Sequence, residues 1–342
     1  MPATLDGPRR TQRPPGALGL ALLLLAAGCG GGSTMTAADM TGGGGSDGGM
    51  GDPNVLAGSF QVRLVAPVPA SMGNPEMAGF TTIVGKVSDG PTPSLIVWEK
   101  AATDGACTLS KPRVPFCAQP CGGSAACVEN DKCQAYPSGK NIGTVHVTGV
   151  RTEAGKTEFD LTSVSNTYQP PADVKCPYPA FDEGADLRLD AAGGVYGAFT
   201  LKARGIRPLV LGADPLVLDS GKPLTVKWTA AGQANISTIH VKLDISHHGG
   251  TKGMIECDTP DTGSLTISAA LVDQLKALGV AGYPSIIVSR RATGSTTLAP
   301  GRVDMVVSSE VEVLVSIPGL KSCTDTSECP MGQTCQSDLT CK

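Results

Sequence analysis

The sequence predicts an all-β protein: two antiparallel β-sandwich-like domains, one short helix in the second, a disulfide-rich loop in the first and a disulfide-rich tail. Three observations carry that prediction. Apolar residues recur with a period of two in many short runs bounded by Gly, Pro and Asp. One stretch alone has a convincing helical period. Aromatic content is only 4 % while Gly (44) and Pro (26) abound, a composition of many turns between short strands.

The strands follow in order. Phe60, Val62 and Leu64 alternate with Gln61 and Arg63, and Phe159 and Leu161 with Glu158, Asp160 and Thr162. Val195, Phe199 and Leu201 share one face, opposite Thr200 and Lys202. Leu224, Val226 and Trp228 alternate with Thr225 and Lys227. The clearest run sets Ile239, Val241, Leu243 and Ile245 against His240, Lys242 and Asp244. Near the end come Val303, Met305 and Val307, then Val311, Val313 and Val315. Such runs are strands with one buried face, and many of them without helices between predict sandwiches. The helical stretch has Ser268 as its cap, Leu271, Leu275 and Leu278 on one face, and Gly279 to end it.

A boundary near Pro208 to Pro215 divides the folded part into residues 55–208 and 209–318, and 319–342 form the tail. The opening of the second domain, Pro215 to Trp228, has an inward Trp after a Gly-containing hairpin. It resembles the first strands of immunoglobulin-like sandwiches, without their paired cysteines.

Residues 1–28 are not fold. Arg9, Arg10 and Arg13 precede an uncharged apolar run from Ala17 to Ala27, too short to span a bilayer and suited to the core of a signal peptide. Leu25-Ala26-Ala27-Gly28-Cys29 then resembles the lipobox of bacterial lipoproteins. That resemblance implies a diacylglyceryl group on Cys29, which becomes the first residue. Ala26 departs from the commoner Leu. Gly30 stands where Asp would retain a lipoprotein in the inner membrane, which implies the outer membrane or the cell surface. Residues 29–54 form a lipidated, Gly-rich tether without positive charge, expected to be disordered. Losing residues 1–28 moves the net charge from −4 to −6. That charge gives no reason to bind nucleic acid, and it leaves membrane attachment to the lipid.

Behind an export signal, twelve cysteines predict disulfides. Zinc sites favour short Cys pairs with a second pair or His nearby, which the spacing lacks. Cys323, Cys329, Cys335 and Cys341 are each separated by five intervening residues, and so are Cys121, Cys127 and Cys133. The tail resembles small Cys-rich repeats of secreted proteins. With few apolar residues it needs two bridges, and three connectivities are open. With Cys29 lipidated and the tail closed, an odd number remains. The expectation is three bridges among Cys107, Cys117, Cys121, Cys127, Cys133 and Cys176, leaving Cys257 as the free thiol.

Catalytic signatures are absent: no Gly-x-Ser-x-Gly, no His-Glu-x-x-His, no complete Walker loop and no calcium loop. His146 and His240 fall on polar strand phases and are expected to face solvent. His247-His248 read as a polar turn. Asp261-Thr262-Gly263 matches the aspartic-protease tripeptide but has no second copy, so it reads as a tight turn. No catalytic residue, metal or cofactor is expected. The reading is a non-enzymatic, lipid-anchored envelope protein that binds a protein or glycan. The alternatives are a secreted hydrolase using Asp182, Glu183 and Asp186, or a protease inhibitor.

Overall fold

The structure, a computed structural model, describes residues 51–71 and 75–342. Cys29, the signal segment and the tether before Gly51 lie outside the described residues. The first half contains β1 (Leu56–Val65), β2 (Phe80–Val87), β3 (Val97–Asp104), β4 (Cys107–Arg113), β5 (Ala125–Glu129), β6 (Lys132–Ala135), β7 (Val145–Thr148), β8 (Glu158–Val164), β9 (Thr167–Gln169), β10 (Asp186–Ala191) and β11 (Phe199–Arg204). The second contains β12 (Leu224–Lys227), β13 (Thr238–Asp244), β14 (Met254–Pro260), β15 (Ser264–Ile267), α1 (Ala269–Ala277), β16 (Ser285–Leu298) and β17 (Gly301–Leu314). The described residues form an all-β, sandwich-like fold with one α-helix.

Thirteen strands form one sheet in the order β11-β10-β7-β8-β9-β2-β1-β17-β16-β13-β14-β4-β3, and β12-β15 and β5-β6 are two-stranded sheets. The expectation of purely antiparallel sandwiches needs one correction: β1 runs parallel to β17 and joins the halves. Short-range period-two reading cannot reveal this pairing, because the partners lie almost 250 residues apart.

Two hydrophobic clusters result. The first is built from Phe60, Val62 and Leu64 of β1, Val145 and Val147 of β7, Leu187 and Leu189 of β10, Leu201 of β11, and Val303, Met305 and Val307 of β17. Here the sheet curls until β11 reaches β16. A Cβ at Gly294 of β16 would lie 1.6 Å from the Lys202 carbonyl oxygen, so only glycine permits that approach. Phe60 likewise covers Gly85, its register partner on β2. In the second cluster, Leu224 and Val226 of β12 and Ile267 of β15 face Ile239, Val241 and Leu243 of β13 and Ile286 and Val288 of β16. Each fully buried aliphatic side chain contributes roughly 1.5–3 kcal/mol relative to exposure. Helix α1 closes one side with Leu271, Val272 and Leu275. Ser268 accepts from the Leu271 N–H, and Gly279 follows at φ +92°.

Two strand details differ from expectation. Val195 precedes β11 in a turn and is exposed, because the Gly193-Gly194 turn breaks the alternation. Residues 51–54, read as tether, pack on the β16–β17 turn. Gly51 N–H donates to the Leu298 carbonyl and Arg302 donates to the Pro53 carbonyl.

Residues 88–140 leave the first cluster and return. Their neck is closed by a Ser88–Gly139 bridge and a 2.7 Å Lys140–Asp89 ion pair. Within this excursion β3 and β4 extend the second cluster's sheet, β4 pairing with β14. The insert that follows is framed by Cys117–Cys127 and Cys121–Cys133, the tail by Cys323–Cys335 and Cys329–Cys341. Both modules pair first with third and second with fourth cysteine.

Candidate functional site

The cysteines correct one expectation. Cys257 is not free: it is bonded to Cys107, its register partner across β14 and β4. Among the described residues the unpaired thiol is Cys176, buried beside Thr81, and burial pushes its pKa up to about 11. Parity left one odd thiol without saying which. Counting has no geometry, and only the pairing of strands 150 residues apart sets Cys107 opposite Cys257.

A catalytic-looking row crosses the outer face of the sheet. Asp258, His240, Ser289 and Glu310 are successive register partners on β14, β13, β16 and β17. His240 Nδ1 lies 2.9 Å from Asp258 Oδ1, and Nε2 lies 3.6 Å from Glu256 Oε1. The expectation that His240 faces open solvent is corrected, since these carboxylates leave its side chain only 12 % exposed. Burial pulls its pKa down, but Asp258 and Glu256 outweigh that and the net direction is upward. The row is nevertheless not a nucleophile–base–acid relay. Ser289 is fully buried and its hydroxyl donates 2.7 Å to Glu310, while both His240 nitrogens face carboxylates. A second row at His146 is open, with the His146 side chain 42 % exposed and its Nδ1 2.8 Å from Asp160. It borders a surface recess of about 530 Å³ that Gly155 to Thr157 complete.

Asp261 is also corrected. It is not a simple turn residue but the partner of Arg290, and both are almost wholly buried, with side chains 3 % and 0 % exposed. All five guanidinium N–H positions are directed to acceptors. Arg290 donates to both Asp261 oxygens at 2.5 and 3.0 Å and to the carbonyls of Arg207, Pro208 and Thr229. Asp261 further accepts from Trp228 Nε1 and the Ser237 hydroxyl. Burial pushes the Asp261 pKa up, but these donors prevail and hold it below the ordinary carboxylate value. The cluster ties residues 207–208 to the sheet where the two cores meet. Sequence reading missed Arg290. The signal was its place on the apolar phase of β16, between Val288 and Ala292.

The carboxylates of the hydrolase alternative do not converge. Asp182 pairs with Arg151, which lowers its pKa, Glu183 accepts from the Gly232 N–H, and Asp186 pairs with Arg204. The His247 and His248 rings lie tilted to each other with centroids 3.9 Å apart, and His247 Nε2 is 3.7 Å from Glu312. Among the described residues, the groups of three ligand-type side chains close enough to share an ion are all cystine cysteines, whose sulfurs are bonded in pairs.

What does gather is a surface. Ser110, Met254, Asp244, Ser285 and Leu314 form one register row across five strands at one end of the sheet. Beyond that row lie the cystine insert, the His247 loop and the tail, docked by the Gly282 N–H on the Asp338 carbonyl. The four most exposed large apolar side chains among the described residues are Val114, Phe116, Leu314 and Met331, and all belong to this end. Residues 51–54 sit by the other end of β17, where the neck of the 88–140 excursion also lies, with the Ser88 N–H donating to the Ala57 carbonyl. A smaller cleft of about 230 Å³ lies between residues 211–216, β12 and the end of β17, with Lys227 and Asp214 paired at 2.9 Å on its rim.

No helix of the described residues is long and apolar enough to cross a membrane. No family model matches the chain, and no curated protein matches it. Among solved structures it is similar to one titled as the crystal structure of chicken CNTN1 FN1–FN3 domains. The identity is 10 % over 70 % of this chain and 69 % of that chain, with a TM-score of 0.16. A score that low does not speak for a shared fold.

Proposed function

We propose that the protein is a non-enzymatic, lipid-anchored envelope protein that holds a protein-binding surface away from the membrane. The observation that carries this reading is the gathering of exposed apolar side chains and disulfide-framed segments after the ends of β4 and β17. Val114 and Phe116 follow β4 into the cystine insert, and Leu314 ends β17 before the cystine tail with Met331. Rigid loops framed by disulfides lose little conformational freedom on binding, which suits them to recognition. Five disulfides belong to an oxidising compartment, in keeping with the export signal. The lipid on Cys29 and the outer-membrane address rest on the lipobox resemblance.

One experiment tests both ends of this reading. Cells expressing the protein receive a labelled fatty acid, and a photo-crosslinking residue replaces Phe116 or Met331, or Val164 or Val195 as controls. The expected result is label that disappears in Cys29→Ala, with discrete protein adducts from Phe116 and Met331 only. Adducts of equal yield at the control positions, or none at Phe116 and Met331, would remove the binding surface. Unlabelled protein would remove the anchor.

A further inference from the structure

We infer that the folded chain is a tandem repeat of one β unit, whose outer face carries the same side-chain row twice, open at His146 and closed at His240. The copies are β2, β7, β8, β9, β10, β11 and β12, β13, β14, β15, β16, β17. Four independent observations agree. The first is sequence: Asn141-Ile-Gly-Thr-Val-His146-Val147 stands against Asn235-Ile-Ser-Thr-Ile-His240-Val241, with only the third and fifth residues different. The second is topology. The neighbours run β11-β10-β7-β8 in one copy and β17-β16-β13-β14 in the other, and the remaining strands pair antiparallel as β2 with β9 and β12 with β15.

The third observation is register. His146 lies opposite Asp160 on one side and Asp190 on the other, and Asp190 lies opposite Thr200. His240 lies opposite Asp258 and Ser289, and Ser289 lies opposite Glu310. Each hairpin also has a glutamate two residues before the aspartate, Glu158 and Glu256. The fourth is bonding. The His–Asp contacts are 2.8 and 2.9 Å, with the same nitrogen facing the aspartate. Thr200 donates 2.6 Å to Asp190, and Ser289 donates 2.7 Å to Glu310. The same hydrogen bond is made with donor and acceptor exchanged between the strands. A generic hairpin requires none of these coincidences.

The copies differ at one informative place. The counterpart of Arg291 is Ala192: Arg291 pairs with Thr238, and Ala192 N–H donates to the Thr144 carbonyl at the matching position. The second row therefore has a guanidinium near Asp258, Glu256 and Glu310, and the first has a small exposed side chain at the matching position. Arg188 pairs with Asp190 from the other side.

The repeat stands apart from the proposed partner surface and is tested without it. Ala192→Arg in the full chain, followed by NMR titration of the histidines, is expected to lower the His146 pKa. In parallel, Arg291→Ala is expected to raise that of His240. If Arg291→Ala moves His240 while Ala192→Arg leaves His146 unmoved, the rows are not equivalent and the inference fails. Should Ala192→Arg not fold, the exchange of Asp190→Ser with Thr200→Glu decides. Each single change is expected to lower the unfolding midpoint, and the pair to recover most of that loss. Losses that simply add would overturn it.

Discussion

The two halves share a strand frame but are completed differently. The first hosts the long excursion of residues 88–140 between β2 and β7, and carries an unpaired cysteine in the loop before β10. The second has only residues 228–237 between β12 and β13, and inserts a helix before β16 instead. The excursion grown from the first half then extends the sheet of the second, and one disulfide fastens it there. The difference shows that neither core is self-sufficient: the first shares β17 with its neighbour, and the second takes β4 from it.

The most severe way to break this arrangement is at the joint. Asp261→Ala leaves Arg290 buried without its counter-charge, and is expected to cost about 3–5 kcal/mol in denaturant unfolding. Asp182→Ala, which removes an exposed pair with Arg151, is the control, expected within about 1 kcal/mol. If the two variants behaved alike, the joint would not be holding the cores together.

A smaller effect is expected from Cys107→Ser combined with Cys257→Ser. The bridge spans 150 residues, and its loss should cost about 2–4 kcal/mol. Hydrogen exchange sharpens the comparison: β3 and β4 should lose protection, while β10 and β11 keep theirs. Uniform loss would mean the bridge stabilises both halves equally.

The smallest effect separates the two histidine rows. The His240 pKa is raised in the folded state, so its contribution is complete below its unfolded value near 6.5 and is lost as pH rises through the folded value. Unfolding midpoints of the parent should therefore fall relative to His240→Asn as pH rises through that window. A constant difference across it would show that the pairing with Asp258 and Glu256 does not titrate with folding.

Much of the fold was legible because the strands of the two cores have one buried face. Ile239, Val241, Leu243 and Ile245 are all fully buried, as their alternation implies. Trp228 is inward for the same reason, and Ser268 and Gly279 bound the helix through local chemistry. Non-local pairing was not legible. Nothing near Cys107 announces β14, and nothing near Phe60 announces a parallel β17. Burial of polar groups was half legible: Arg290 on an apolar phase is an anomaly that alternation exposes, although its acceptors come from three separate segments. The histidine motif repeated at residues 141–147 and 235–241 was in plain view, yet matching seven residues gains meaning only once both copies fall on the same strand of the same neighbour order.

The parallel pairing of β1 with β17 has a mechanical side. A pull on the N-terminal end of β1 against the C-terminal end of β17 puts the pair under tension along β17. Eight register pairs, Leu56 with Arg302 through Leu64 with Ser309, then lie along the line of pull. Their hydrogen bonds are loaded together in shear rather than opened one after another from an end. Pulled in that direction the molecule resists as a splice rather than as a zip, which is the load that the proposed anchor and partner would apply.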